Sequence, residues 1–237
     1  MLLNLKKKRN IALLIDPDKT DDESLGWMVK ECEENPVDCF LVGGSIIMDD
    51  SFNKTINYLK NHSQIPVYIF PGNMMQVSDK ADGILLLSLI SGRNPDFLIG
   101  QHVLAAPKLK KANIDVIPTG YILVDSGSRT SVEYMSNTLP IPSDKPEIAV
   151  CTAMAGEQLG MKAIYLEAGS GAQNKVNAEM ITAVKSNISC LLIVGGGIKT
   201  SEDANIAFNA GADMVVVGTA VEKDIHLIKE FVTITKN

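Results

Sequence analysis

Apolar residues fall along the chain in short unbroken runs rather than in alternation. Eight runs read as strands: Ile11–Ile15, Cys39–Val42, Val67–Phe70, Ile84–Ser88, Tyr121–Val124, Ala163–Glu167, Leu191–Val194 and Met214–Val217. Strands apolar on both sides suit a parallel sheet covered on both faces. Helical signals lie between them. Thr20-Asp21-Asp22-Glu23 places a capping-box pattern before Leu25–Cys32. Pro95 suits the first turn of a helix running toward Lys111. Ser201-Glu202-Asp203 opens a helix ending near Asn209, with Gly211 as its C-terminal cap. Asn177–Lys185 and Asp224–Val232 predict the last helices of the sixth and eighth units. Strands alternating with helices eight times predict an α/β fold, a (β/α)8 TIM barrel, as one domain over residues 1–237. The competing doubly wound sheet usually carries a glycine-rich turn after its first strand. Here that strand runs into Asp16-Pro17-Asp18-Lys19 instead.

Two units depart from the rhythm. Pro71 to Gly83 is too short for a helix and two loops, so the third βα unit is degenerate, with one or two helical turns at most over Met74–Lys80. The fifth is long. Its proline-rich stretch Thr138–Pro146 reads as a surface loop between two short helices.

Composition acts mainly by exclusion. A formal net charge of −6 with no long basic run argues against nucleic acid as the main partner. Lys6-Lys7-Lys8-Arg9 reads as a solvated lead-in to the first strand. No apolar stretch is long enough for a membrane span, and no signal-peptide pattern opens the chain. Cys32, Cys39, Cys151 and Cys190 show neither CxxC nor zinc spacing, as expected for reduced thiols in a cytoplasmic protein. With a lipid substrate, such a protein makes transient membrane contact from the water side.

Chemistry in a barrel gathers at the C-terminal ends of the strands. Three of those ends turn into glycines: Tyr165-Leu166-Glu167-Ala168-Gly169-Ser170-Gly171, Val194-Gly195-Gly196-Gly197 and Val217-Gly218-Thr219. Glycines let backbone amides approach an anion closely, and the loops after strands seven and eight are a customary phosphate position. The three together predict one phosphate site, with Gly196, Gly197, Gly218 and Thr219 joined by Ser170 and Gly171. Glu167 ends an apolar strand, which is costly unless the carboxylate is paired or functional. It either forms an ion pair with a lysine or holds, and deprotonates, a substrate hydroxyl. Tyr165 shares its face, as a substrate contact or as core. Asp16 either caps the turn that follows it or holds Mg2+, whose remaining ligands come from phosphate oxygens and water. Ser45, after the second strand, is placed to join it. His62, His102 and His226 fall in predicted helices or at their ends, where surface positions are expected. There is no Ser/His/Asp arrangement, no HExxH, no P-loop and no DDxxD pattern.

With these motifs assembled, the sequence resembles the geranylgeranylglyceryl phosphate synthase family and its bacterial heptaprenylglyceryl relatives. The resemblance rests on Ile15-Asp16-Pro17-Asp18-Lys19, Val42-Gly43-Gly44-Ser45, Tyr165 to Gly171, Val194 to Lys199 and Val215 to Thr219, spread in order over nearly the whole chain. It implies a Mg2+-dependent prenyltransferase that joins sn-glycerol 1-phosphate to geranylgeranyl or another long polyprenyl diphosphate through an ether bond, in phospholipid biosynthesis. It implies that Asp16 and Ser45 hold Mg2+ with the diphosphate. Glycerol phosphate would be bound by Tyr165, Leu166, Glu167, Ala168, Gly169, Ser170, Gly171, Gly196, Gly197, Gly218 and Thr219, with Glu167 accepting the proton and Tyr165 beside it. It also implies a barrel with a degenerate third unit and a homo-oligomer, dimer or hexamer. Many bacterial relatives place a lysine two residues before the strand-one aspartate; this chain has Leu14 there.

The prenyl chain needs an apolar groove. Met74, Met75, Ile84, Leu86, Tyr121 and Leu123 are candidate walls, although such residues equally suit an ordinary core. Two other readings keep the glycine loops or the fold: an isomerase or lyase of a sugar phosphate, with Asp16 and Glu167 as its acid/base pair, and a non-catalytic barrel. Trp27 and the apolar residues of unit five are the candidate subunit contacts.

Overall fold

Side chains on successive strand residues point to opposite faces, and this chain supplies apolar groups for both. The computed structural model describes residues 2, 7–44 and 50–236. Its parallel strands β1 (Asn10–Ile15), β2 (Cys39–Val42), β3 (Val67–Ile69), β4 (Gly83–Leu89), β5 (Asp115–Leu123), β6 (Ala163–Glu167), β7 (Leu191–Gly195) and β8 (Met214–Val217) follow one another around a closed barrel, with β8 pairing back onto β1. Leu41, Leu85, Ile117, Tyr165, Ile193 and Val216 fill the interior. Phe40, Ile69, Ile122, Leu166 and Val194 belong to the larger outer core under the helices. The base is closed by Leu2, whose amide donates to the Tyr68 hydroxyl at 2.8 Å.

The surrounding helices are α1 (Asp22–Glu34), α2 (Ser51–His62), α3 (Gln101–Ala112), α4 (Ser131–Ser136), α5 (Pro146–Gln158), α6 (Ala178–Lys185), α7 (Ser201–Asn209), α8 (Thr219–Lys223) and α9 (Leu227–Thr233). Among the described residues no helix is long and apolar enough to cross a membrane.

Several boundaries differ from the pattern-based expectation. β5 starts at Asp115 rather than Tyr121, because Pro118 and Gly120 read as breakers. Seven consecutive pairs with β4, from Gly83↔Asp115 to Leu89↔Tyr121, carry the strand through both. The cap of α1 lies one residue later than Thr20 and Glu23 suggest: Asp21 and Ser24 each bond the other's backbone amide. The Pro95 helix begins with a π-helical turn over Asp96–Gly100 before α3. α5 is not short, with 13 residues counted from Pro146 at its first turn. Asp224–Val232 is not one helix, since α8 starts directly at Thr219 and α9 follows a break at Asp224.

The third unit is degenerate as expected. Turns alone connect β3 to β4, and the two strands share only two pairs, Tyr68↔Gly83 and Ile69↔Ile84. That leaves an opening in the helical layer between Phe70 and α3.

Candidate active site

The period-two alternation of β6 turns Tyr165 and Glu167 inward and Leu166 outward. Glu167 is 5 % exposed, and no lysine bonds it among the described residues, so the ion-pair alternative is not realised. Its Oε1 accepts the Gly169 amide at 2.6 Å. Burial pushes the carboxyl up to about 7, partly offset by that amide and by the Tyr165 and Tyr121 hydroxyls that face it. Both phenols lie well above their ordinary value, first through burial and then through the charge of Glu167. The Tyr165 hydroxyl is fully buried and has no well-formed hydrogen bond of its own. Gly195 is the inward residue of β7 opposite Glu167, and a Cβ there would overlap the Tyr165 hydroxyl. A Cβ on Gly196 would overlap Oε1 of Glu167. The glycines of this turn therefore make room for Tyr165 and Glu167 as well as for a ligand.

One cavity at the C-terminal mouth brings together most of the anticipated residues. Asp16 and Lys19 line it beside Tyr165, Glu167, Ser170 and Gly171, and Gly196, Gly197, Gly218 and Thr219 complete it. Leu166, Ala168 and Gly169 do not line it. The side chains of Leu166 and Ala168 lie in the outer core, because strand parity turns them away from the mouth. The amides of Ala168 and Gly169 are already bonded, to the Gly195 carbonyl and to Glu167. Gly169 packs instead against the Thr130 side chain. Ser45 lies outside the described residues.

Loops six and seven are tied to each other. Asp203, in the first turn of α7, receives the Lys175 ammonium at 2.6 Å and the amides of Lys199 and Thr200 at 3.0 and 3.1 Å. Lys199 in turn donates its ammonium to the Gln173 carbonyl at 3.3 Å. Asp203→Asn is expected to raise the KM for a phosphate-bearing substrate by about three- to tenfold, leaving kcat within about twofold, because the cradle loosens while Glu167 keeps its place. Steady-state kinetics at varied phosphate substrate checks this.

The acidic end of the cavity carries charges in a row. Lys19 Nζ lies 2.9 Å from Asp16 Oδ2 and 3.9 Å from Glu222 Oε2. Burial alone would lower the Lys19 ammonium, but its bond to Asp16 and the charge of Glu222 hold it above its usual value. Asp16 Oδ1 accepts the Asp18 amide at 3.3 Å, so the turn-capping reading of Asp16 is realised. A cation fits here. Asp16 offers hard oxygen, an ammonium already stands at it, and a Cβ on Gly44 would sit 2.9 Å from Oδ1. No group of three His, Cys, Asp or Glu side chains suited to a metal exists among the described residues. Substrate oxygens would have to supply the remaining ligands.

The opening left by the third unit is an apolar groove. Met74, Ile84, Leu86 and Tyr121 line it, as anticipated; Met75 is exposed, and Leu123 belongs to the barrel interior. His102 is a correction. It is half-buried on the groove side of α3, with Nε2 2.8 Å from the Leu87 carbonyl, rather than on the surface. Groove and polar cavity meet at Gly44, Phe70 and Tyr121. Phe70, Tyr121 and Tyr165 pack there with ring centroids 5.3–6.1 Å apart.

Sequence reasoning passed over Tyr121 as a neighbour of Glu167. The signal existed in the inward parity of β5, but it is readable only once Tyr121 is known to pair with Tyr165. Glu222 had no signal, since it lies on the unrecognised α8.

A closed barrel with glycine-rich loops after β6, β7 and β8, a buried carboxyl beside them and an apolar groove opening into the same mouth defines a (β/α)8 barrel whose site has a polar and an apolar half. The chain belongs to the PcrB family, whose sequence profile matches residues 3–235. A relative from Spirosoma linguale named geranylgeranylglyceryl phosphate synthase is 49% identical over 232 residues, 98% of this chain and 93% of its own. One of the same name from Pyrococcus horikoshii is 44% identical over 220 residues, 92% of this chain and 86% of its own. The crystal structure of (S)-3-O-geranylgeranylglyceryl phosphate synthase from Thermoplasma acidophilum, in complex with sn-glycerol-1-phosphate, matches with a TM-score of 0.90. It is 32% identical and covers 95% of this chain and 92% of its own.

Proposed function

We propose that the chain is a geranylgeranylglyceryl phosphate synthase, joining sn-glycerol 1-phosphate to geranylgeranyl or another long polyprenyl diphosphate with release of diphosphate. The observation that carries this is the junction at Gly44, Phe70 and Tyr121, where a polar anion cavity and an apolar groove open into each other. The phosphate sits on the glycine loops, with the glycerol hydroxyls on Glu167. The prenyl tail lies in the groove, bringing its C1 to the junction. The hydroxyl oxygen bonds to C1 as the bond from C1 to the diphosphate oxygen breaks, and Glu167 takes the hydroxyl proton. A carboxyl poised near 7 suits that transfer at neutral pH. Alignment of two otherwise diffusing substrates supplies much of the rate. Asp16, with Ser45 beyond the described residues, would hold Mg2+, which when bound supplies neutralisation of the leaving diphosphate. The sugar-phosphate isomerase or lyase reading is not favoured, because it leaves the groove without a purpose.

The test is incubation with labelled sn-glycerol 1-phosphate, Mg2+ and a ladder of prenyl diphosphates, followed by product chromatography. An ether product is expected, and none with any chain length or divalent cation sinks the proposal. Burial is worth about 0.8 kcal/mol per methylene, so groove filling should select chain length. Ala105 lines the groove from α3. Ala105→Phe is expected to reduce kcat/KM for geranylgeranyl diphosphate by about tenfold or more and to spare geranyl diphosphate, as read by competition between the two. Apolar side chains exposed on Trp27, Tyr134, Leu139 and Leu159 are candidate contacts for a homo-oligomer, to be sized by light scattering.

A further inference from the structure

We propose that Lys19 is the resident counter-ion of the cation site, neutralising Asp16 until a divalent cation arrives together with a diphosphate, and that Glu222 then receives it. This deepens the functional reading above and rests on it. The ammonium is bonded to Asp16 at 2.9 Å and lies 3.9 Å from Glu222, within a short swing of a second acceptor. The stem is fixed. Pro17–Lys19 forms a 3-10 turn capped by Asp16, and the Lys19 amide donates to the Asp16 carbonyl at 3.1 Å. Glu222 is fixed as well, on α8 one turn beyond Thr219, with its side chain 19% exposed. All three groups line the mouth cavity, on the side of the phosphate loops seven and eight.

The consequence is an order of binding. A bare divalent cation must pull the ammonium off Asp16, the one carboxylate placed to hold it among the described residues, and brings only water as further ligands. A cation carrying a diphosphate brings its own oxygens as ligands, and the displaced ammonium keeps a partner in Glu222. The site therefore rejects free metal and accepts the metal–diphosphate. Glu222 is a positioning residue in this scheme and touches neither reacting atom.

The experiment measures Mn2+ retained by the protein, by metal analysis after rapid ultrafiltration against a protein-free control, alone and with saturating inorganic pyrophosphate. Wild type is expected to bind Mn2+ weakly alone and far more tightly with pyrophosphate. Lys19→Gln should tighten the binding of Mn2+ alone by about tenfold, the scale of a hydrogen bond between charged groups. Lys223→Gln removes an equal charge from the same cavity and should change it by about threefold or less. Glu222→Gln should weaken binding with pyrophosphate in the presence of Lys19 and lose that effect in the double variant with Lys19→Gln. Equal effects of Lys19→Gln and Lys223→Gln would overturn the proposal. So would an effect of Glu222→Gln that is the same in both backgrounds, which marks a bystander charge. If Lys19→Gln does not fold, Lys19→Met takes its place in the same cycle with Glu222→Gln. Wild type that forms the ether product yet binds no Mn2+ with pyrophosphate overturns this proposal and leaves the functional one standing; absence of product overturns the functional reading first.

Discussion

Glu167→Gln is expected to lower kcat by roughly 10²–10⁴-fold while changing glycerol phosphate affinity by no more than a few-fold, the range associated with loss of a general base. Gln keeps the shape and the acceptor for the Gly169 amide but cannot take a proton. Binding by calorimetry and turnover by product formation separate the two effects; unchanged turnover removes Glu167 from the chemistry. The wild-type rate should climb with pH through about 7, as the buried carboxyl ionises, and the variant should lack that step. The same substitution tests stability with an unambiguous sign. The folded carboxyl titrates near 7 and the unfolded one near 4.5. Below 4.5 both states are mostly protonated and no ionisation penalty falls on the folded state. As pH rises through the window, the unfolded chain gains ionisation that the folded one resists, so stability is lost up to about pH 7 and the loss then stays constant. It amounts to about 3 kcal/mol. Glu167→Gln should therefore melt at nearly the wild-type temperature near pH 4.5 and at a higher one at pH 8. A melting advantage that does not grow with pH contradicts the buried, poised carboxyl.

Gly196→Ala should have the second largest effect, and its cause can be isolated. Gly196 has φ +78° and Gly171 φ +71°, so alanine meets similar left-handed strain at each, about 1–2 kcal/mol. They differ in space. A Cβ at Gly171 meets nothing within 4 Å, whereas at Gly196 it overlaps Oε1 of Glu167 and lies 2.6 Å from the Gly169 amide nitrogen. Gly171→Ala should lower stability by that strain alone. Gly196→Ala adds about 1–3 kcal/mol of overpacking and pushes Glu167 off its amide, so folded protein should still lose most of its turnover. Chemical denaturation of the pair gives the difference directly. Equal losses of stability in the two variants would mean that the β7 turn yields to the extra methyl, and that Gly196 does not set the position of Glu167.

The contrast between these glycines shows where legibility ended. Gly171, Gly196 and Gly218 are all recognisable as strand-end glycines that suit an anion. Nothing along the chain distinguishes the glycine that clears space for a carboxylate from the one that faces open solvent. Leu166 and Ala168 show the same limit, since a motif carries its neighbours along and only strand parity separates inward from outward residues. Tyr121 stood in a run correctly read as a strand, yet Pro118 and Gly120 hid its first half, and its proximity to Glu167 depends on register with β6. His102 read as surface because the groove beneath α3 exists only where a helix is missing from the third unit.

What the chain determines by itself is local and periodic. Continuous apolar runs demand burial on both faces, their alternation with helical segments sets parallel strands in order, and the lengths of the crossovers mark the unit that lacks a helix. Glycine and carboxylate at strand ends announce an anion site and a costly buried charge, because those residue types have few other reasons to be there. Tertiary structure alone decides the rest. The depth of Glu167 that moves its proton affinity, the pairing of Lys19 with both Asp16 and Glu222, and the meeting of groove and cradle at Tyr121 are all distances between segments far apart in sequence. Desolvation and Coulomb energies depend on those distances, and no pattern along the backbone encodes them.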